Sequence, residues 1–92
     1  MVKIEKSSSK KKEIYEELER TPKNIRFDEL CKAAEVFGFV FRGGKGSHRI
    51  YAKEGVREML NLQNVKGKAK PYQVKQVLKV IKKYKLLEVK DE

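Results

Sequence analysis

The residues 43–51 read GGKGSHRIY and contain the only histidine, His48, of a 92-residue chain. An imidazole with its ordinary pKa near ~6.5 takes or gives a proton at neutral pH. Lys45 and Arg49 flank it and can hold an anion where charge develops. Gly43, Gly44 and Gly46 carry no side chain, so the backbone here can approach a ligand closely. Three roles are open to such a histidine: a structural position on a strand, a contact to RNA, or a catalytic group.

Most enzyme templates are missing. No aspartate or glutamate lies within five residues of His48. That argues against a metal-dependent nuclease, which needs clustered carboxylates, and no metal or other cofactor is expected. The serines are Ser7, Ser8, Ser9 and Ser47, and no Ser–His–acid set is evident. The one cysteine, Cys31, excludes an internal disulfide and a cysteine-built metal site. It lies in an apolar helical pattern, where a small buried hydrophobe is the simpler role. A protein with this cysteine usage is expected in a reducing cytosol. GGKGSH lacks phosphate-loop spacing and is followed by a strand pattern rather than a helix.

What remains is proton transfer on a substrate that brings its own nucleophile. RNA does so with its 2′-hydroxyl. Its cleavage needs a base for that hydroxyl, an acid for the leaving 5′-oxygen and cations on the phosphate. His48 can fill one proton-transfer role, with Lys45, Arg49, Lys68 and Lys70 neutralising the phosphate. Gly46, Ser47, Tyr51 and Lys66 complete the candidate RNA-contacting set. A plainer reading makes the lysines a solvated surface or a diffuse phosphate contact, Tyr51 a half-core residue and the glycines hairpin residues.

Lys plus Arg number 23 and Asp plus Glu 13, a formal net charge of +10, which points to a polyanionic partner such as nucleic acid. The charge is uneven. Residues 39–72 hold eight basic and two acidic groups, whereas residues 23–38 hold three of each. No stretch is long and apolar enough to span a membrane, and MVKIEKSSSKKK has no apolar core of a secretory signal.

Five elements follow from the patterning. SSSKKKEIYEELER, residues 7–20, has Ile14, Tyr15 and Leu18 spaced for a short, weakly anchored helix, or a frayed segment, ending near Thr21–Pro22. Residues 25–39 form an amphipathic helix with Phe27, Leu30, Ala34 and Phe37 on one face, Asp28 and Glu29 in the first turn and Gly38 as its stop. The period then falls to two. Residues 39–42 are a strand, 43–46 a glycine-rich hairpin turn and 47–52 a second strand. In that strand Ser47, Arg49 and Tyr51 share one face and His48 and Ile50 the other. MLNLQNV, residues 59–65, is a third strand, and KGKAK, residues 66–70, an exposed basic loop. Pro71 opens a last helix over residues 72–84, with Val74, Val77, Leu78 and Ile81 on one stripe. The expected class is α+β: a three-stranded antiparallel sheet with both helices on one face and the other face open to solvent or a ligand.

The order of these elements, with GSH at 46–48 and NLQNVKGKAKPYQV at 61–74, resembles the HicA family of bacterial and archaeal toxins. The likeness covers roughly residues 24–86. It implies a fold like a double-stranded-RNA-binding domain and a ribonuclease that cuts mRNA without needing a ribosome. The family's essential histidine falls on His48. A cognate HicB-like antitoxin would cover that site and commonly drive further assembly. The chain departs from the family in two ways: about 22 residues precede the first shared helix, and Gly43–Gly44 stand where many relatives carry a larger residue.

The expected layout is therefore an extension over residues 1–22, a HicA-like domain over 23–87 and a loose tail over 88–92. The expected function is a metal-independent endoribonuclease toxin of a type II system, cytoplasmic, with mRNA and the antitoxin as partners and no membrane. Two other classes compete: a non-catalytic RNA-binding module on the same basic surface, and an adaptor docking an acidic protein. RNA that is bound but stays intact distinguishes the first of these from the nuclease. An adjacent gene for a HicB-like antitoxin would favour the toxin over both.

Overall fold

The structure is a computed structural model that describes residues 4–88, with side chains from residue 10 onward. Helix α2 spans Phe27–Val36. Its first turn carries Asp28 and Glu29, where the helix dipole favours acid, and the Arg26 N–H donates to Glu29 Oε1 at 2.9 Å. It ends as the pattern requires: Gly38 takes φ +96° and the Phe39 N–H donates back to the Ala34 carbonyl at 3.0 Å.

Three strands follow, β1 Val40–Gly43, β2 His48–Ala52 and β3 Leu60–Val65, joined as an antiparallel meander. A fourth strand, β4 Lys68–Ala69, extends the sheet in the order β1-β2-β3-β4. The expected three-stranded sheet is thus four-stranded, and the basic loop 66–70 is largely a tight hairpin. Lys66 and Gly67 turn the chain at φ +54° and +85°, and the Gly67 N–H is capped by Asn64 Oδ1 at 2.6 Å. On its far side β4 meets the approach to α2: the Ala69 N–H donates to the Ile25 carbonyl and the Phe27 N–H to the Gly67 carbonyl. A two-residue strand is stable here because both of its edges are paired.

Helix α3 spans Pro71–Lys83, with Pro71 in its first turn and Lys82 and Lys83 in its last. Tyr51, Leu60, Leu62 and Ala69 face the helices and are buried with Leu30, Phe37, Val74, Val77 and Ile81. Burial of each large apolar side chain stabilises the fold by about 1.5–3 kcal/mol. The opposite sheet face carries no helix among the described residues. Val40 on it is 57 % exposed.

The N-terminal segment is better anchored than its polarity suggests. Helix α1 runs Ile4–Arg20 and is followed by a 3-10 turn over Pro22–Asn24. Leu18 is buried, and Ile14 and Tyr15 pack partly against the core. The Lys11 ammonium lies over the Phe37 ring at 6.0 Å from its centroid. At the other end Leu86 and Leu87 also pack on the core. The expected loose tail over 88–92 falls, beyond Glu88, outside the described residues.

Candidate functional site

His48 opens β2 on the uncovered face of the sheet and is exposed. The hairpin that delivers it is tight. The His48 N–H donates to the Lys45 carbonyl at 3.0 Å, and Gly46 takes φ +58° inside the turn. Gly44, at φ +132°, lies so close to β2 that a Cβ there would sit 2.3 Å from the His48 carbonyl oxygen. Gly44 is therefore a positioning residue for the histidine. Sequence reading assigned it only hairpin flexibility, because the close approach exists only once β1 and β2 are paired.

Across the ladder His48 stands opposite Gln63, and Ile50 opposite Asn61. The His48 Nδ1 lies 3.3 Å from Asn61 Oδ1. An amide oxygen only accepts, so a hydrogen bond here is donated by Nδ1–H, and a neutral ring then carries its lone pair on Nε2. A neutral ring in that tautomer can accept a proton from a group above the sheet. Asn61 was not among the sequence-derived site residues. Its signal was the alternation of LNLQN, which sets Asn61 and Gln63 on the face opposite the buried Leu60 and Leu62.

The backbone under this pair is fixed by α3. Where β4 stops, the outer edge of β3 would be left with free polar groups. The Gln73 side chain fills the gap: its Oε1 accepts from the Gln63 N–H at 2.8 Å and its Nε2 donates to the Asn61 carbonyl at 2.7 Å. Gln73 is 6 % exposed, the one buried polar side chain of the described residues.

The basic candidates divide between the two faces. Lys68 is exposed and pairs with Val65, two positions from Gln63, so it shares the face of His48. Lys45, Gly46 and Ser47 form the exposed turn immediately before His48, and Lys66 is exposed in the turn between β3 and β4. Lys70 is half-buried, with its ammonium 5.8 Å from the centroid of the Tyr72 ring. Arg49 points to the other face: its guanidinium lies 5.4 Å from the Phe41 ring centroid and borders a cleft with Cys31, Glu35 and Asn64.

Tyr51 does not stand at the surface, contrary to the expected RNA contact. It has no exposed area, and its Oη donates to Glu35 Oε2 at 2.8 Å. Burial, together with that hydrogen bond, pushes its hydroxyl up to about 12. Cys31 beside it is buried, and desolvation raises its thiol pKa, as befits an inert core cysteine. No group of three or more His, Cys, Asp or Glu side chains among the described residues is arranged to hold a metal. No helix among them is long and apolar enough to cross a membrane.

Residues 27–82 match the sequence profile of a family described as the HicA toxin of bacterial toxin–antitoxin systems. The match begins at the first residue of α2 and ends in the last turn of α3, so it takes in His48, Asn61 and Gln73. No curated protein and no solved structure matches the chain.

Proposed function

Because the chain belongs to the HicA family, the toxins of bacterial toxin–antitoxin systems, we propose that it is a metal-independent endoribonuclease acting on mRNA in the cytoplasm, with His48 as its proton-transfer group. The observation that carries this reading is the exposed imidazole on an open, cationic sheet face, with Nδ1 held by Asn61 Oδ1.

The chemistry uses what RNA brings. Nε2 of His48 removes the proton of a 2′-hydroxyl, and the oxygen attacks the adjacent phosphorus. The bond to the 5′-oxygen breaks, leaving a 2′,3′-cyclic phosphate, and the departing 5′-oxygen takes a proton from water to become the 5′-hydroxyl. Lys45, in the turn before His48, and Lys68, on the same sheet face, bear the charge that grows on the phosphate, together with Lys66 and Lys70. Gly46 and Ser47 offer backbone to the ribose-phosphate. Arg49, on the other face, is left to longer-range attraction.

Family membership brings an antitoxin partner. A HicB-like antitoxin that lies over the open face would exclude RNA from His48, which is sufficient for inhibition. The runner-up is a non-catalytic RNA-binding module on the same surface. Labelled RNA incubated with wild type and with His48→Ala, with and without chelator, separates the two. The nuclease predicts cutting by wild type that EDTA does not stop. RNA that stays bound and intact under all four conditions overturns it in favour of the module.

A further inference from the structure

We propose that Tyr72, with the Lys70 ammonium beside it, is a stacking platform for an unpaired base of the RNA that passes His48, which makes single-stranded RNA the substrate class. The inference rests on the RNA reading above and adds a contact that neither the motif nor the basic charge assigns.

The four tyrosines of the chain have different surroundings. Tyr51 is buried, with its hydroxyl on Glu35. The Tyr84 hydroxyl donates to Glu58 Oε1 at 2.7 Å, and its ring packs against the core. Tyr15 also packs partly against the core. Tyr72 is 62 % exposed and outside the core cluster. A large aromatic ring left in water at the start of α3 adds little to the fold, while every base has a π-face that can cover it. Its neighbour Lys70 supplies a cation 5.8 Å from the ring centroid, suited to the phosphate that follows a stacked base.

Its place in the fold couples it to the histidine. Gln73, the next residue, binds both Asn61 and Gln63 of β3; across the ladder Gln63 stands opposite His48 and Asn61 opposite Ile50. Tyr72 therefore stands beside the outer edge of β3, and His48 one strand inward. A duplex hides its base faces inside the stack, so a platform of this kind selects single strands. Phe41 is the other exposed aromatic ring with a cation over it, but it lies with Arg49 on the face away from His48.

The chain has no tryptophan, so Tyr72→Trp places a unique fluorophore at the platform. Its emission is followed while a 2′-O-methyl oligoribonucleotide, which lacks the attacking hydroxyl, is added single-stranded, as a duplex, or with scattered abasic positions. The expected result is quenching by the single strand, little by the duplex and less by the abasic strand. Tyr72→Ala should weaken single-strand binding by roughly 5- to 100-fold, and Tyr72→Phe should bind about as wild type. Far-UV circular dichroism checks that each variant is folded. Wild-type affinity in Tyr72→Ala overturns the platform. Cleavage of unmodified RNA, measured alongside, keeps the two claims separate. Intact RNA with Tyr72-dependent binding defeats the nuclease and leaves the platform standing. Cut RNA with Tyr72-independent binding does the reverse, and no binding at all defeats both.

Discussion

A Cβ on Gly44 would meet the His48 carbonyl oxygen at 2.3 Å, whereas one on Gly46 would meet nothing within 4 Å. Both glycines have positive φ, +132° and +58°. An alanine in either conformation carries strain, of order 1–3 kcal/mol at such positions. Only at Gly44 must the strand of His48 also move. Gly44→Ala should therefore lower the melting temperature by about 5 °C or more, and more than Gly46→Ala does, with a larger loss of cleavage at a temperature where both are folded. Equal effects of the two substitutions on melting and rate would contradict the positioning role of Gly44. The alternation of SHRIYA already separated His48 and Ile50 from Ser47, Arg49 and Tyr51. It could not say which face the helices cover. Tyr51 and Arg49 were grouped with His48 on charge and proximity in sequence, and the covered face then took both.

At the scale of elements, the strands are held in place by a side chain as well as by one another. Gln73 replaces the missing length of β4 along β3. Gln73→Leu keeps the volume and leaves the Gln63 N–H and the Asn61 carbonyl unpartnered, at about 1–3 kcal/mol for each group shut away from water. The expected loss from urea unfolding is about 2–4 kcal/mol, with slower RNA cleavage because Asn61 and His48 lose their fixed backbone. An unchanged urea midpoint would show that water satisfies that edge. Helices α2 and α3 and strands β1 to β3 were legible because each repeats its period over several residues. Strand β4 was not: Lys68 and Ala69 are too few to show alternation, and their pairing with Ile25–Phe27 joins segments far apart in the chain. The length of α1 was missed for another reason. Its residues 4–12 are mostly lysine and serine, and no apolar stripe announces them.

For the molecule as a whole, the sheet is clasped to the end of α3 where Glu58, just before β3, meets Lys83 and Tyr84. The Lys83 ammonium and then the Tyr84 hydroxyl hold the Glu58 carboxyl down to about 2, from an ordinary 4.5. A carboxyl whose pKa is lower in the folded state stabilises it above its unfolded pKa, and that contribution is lost as pH falls through the folded value. The melting temperature of Glu58→Gln should lie below wild type at neutral pH, and the gap should close as pH falls from about 4.5 to 2. A gap that stays constant over that window would mean the clasp is not ionic. The excess of cations, by contrast, repels itself within the fold and makes a field suited to a polyanion. The charge excess and the GSH turn were both plain in the sequence. The burial of Tyr51, the support from Asn61 and the anchoring by Gln73 became visible only with the strands in register.

The most direct measurement is the single-turnover rate of RNA cleavage by purified wild type and His48→Ala at equal, saturating protein. Removal of the proton-transfer group should slow cleavage by roughly 10²-fold or more while RNA binding is unchanged. Cleavage by His48→Ala at the wild-type rate, with contaminating nuclease excluded, would contradict the account.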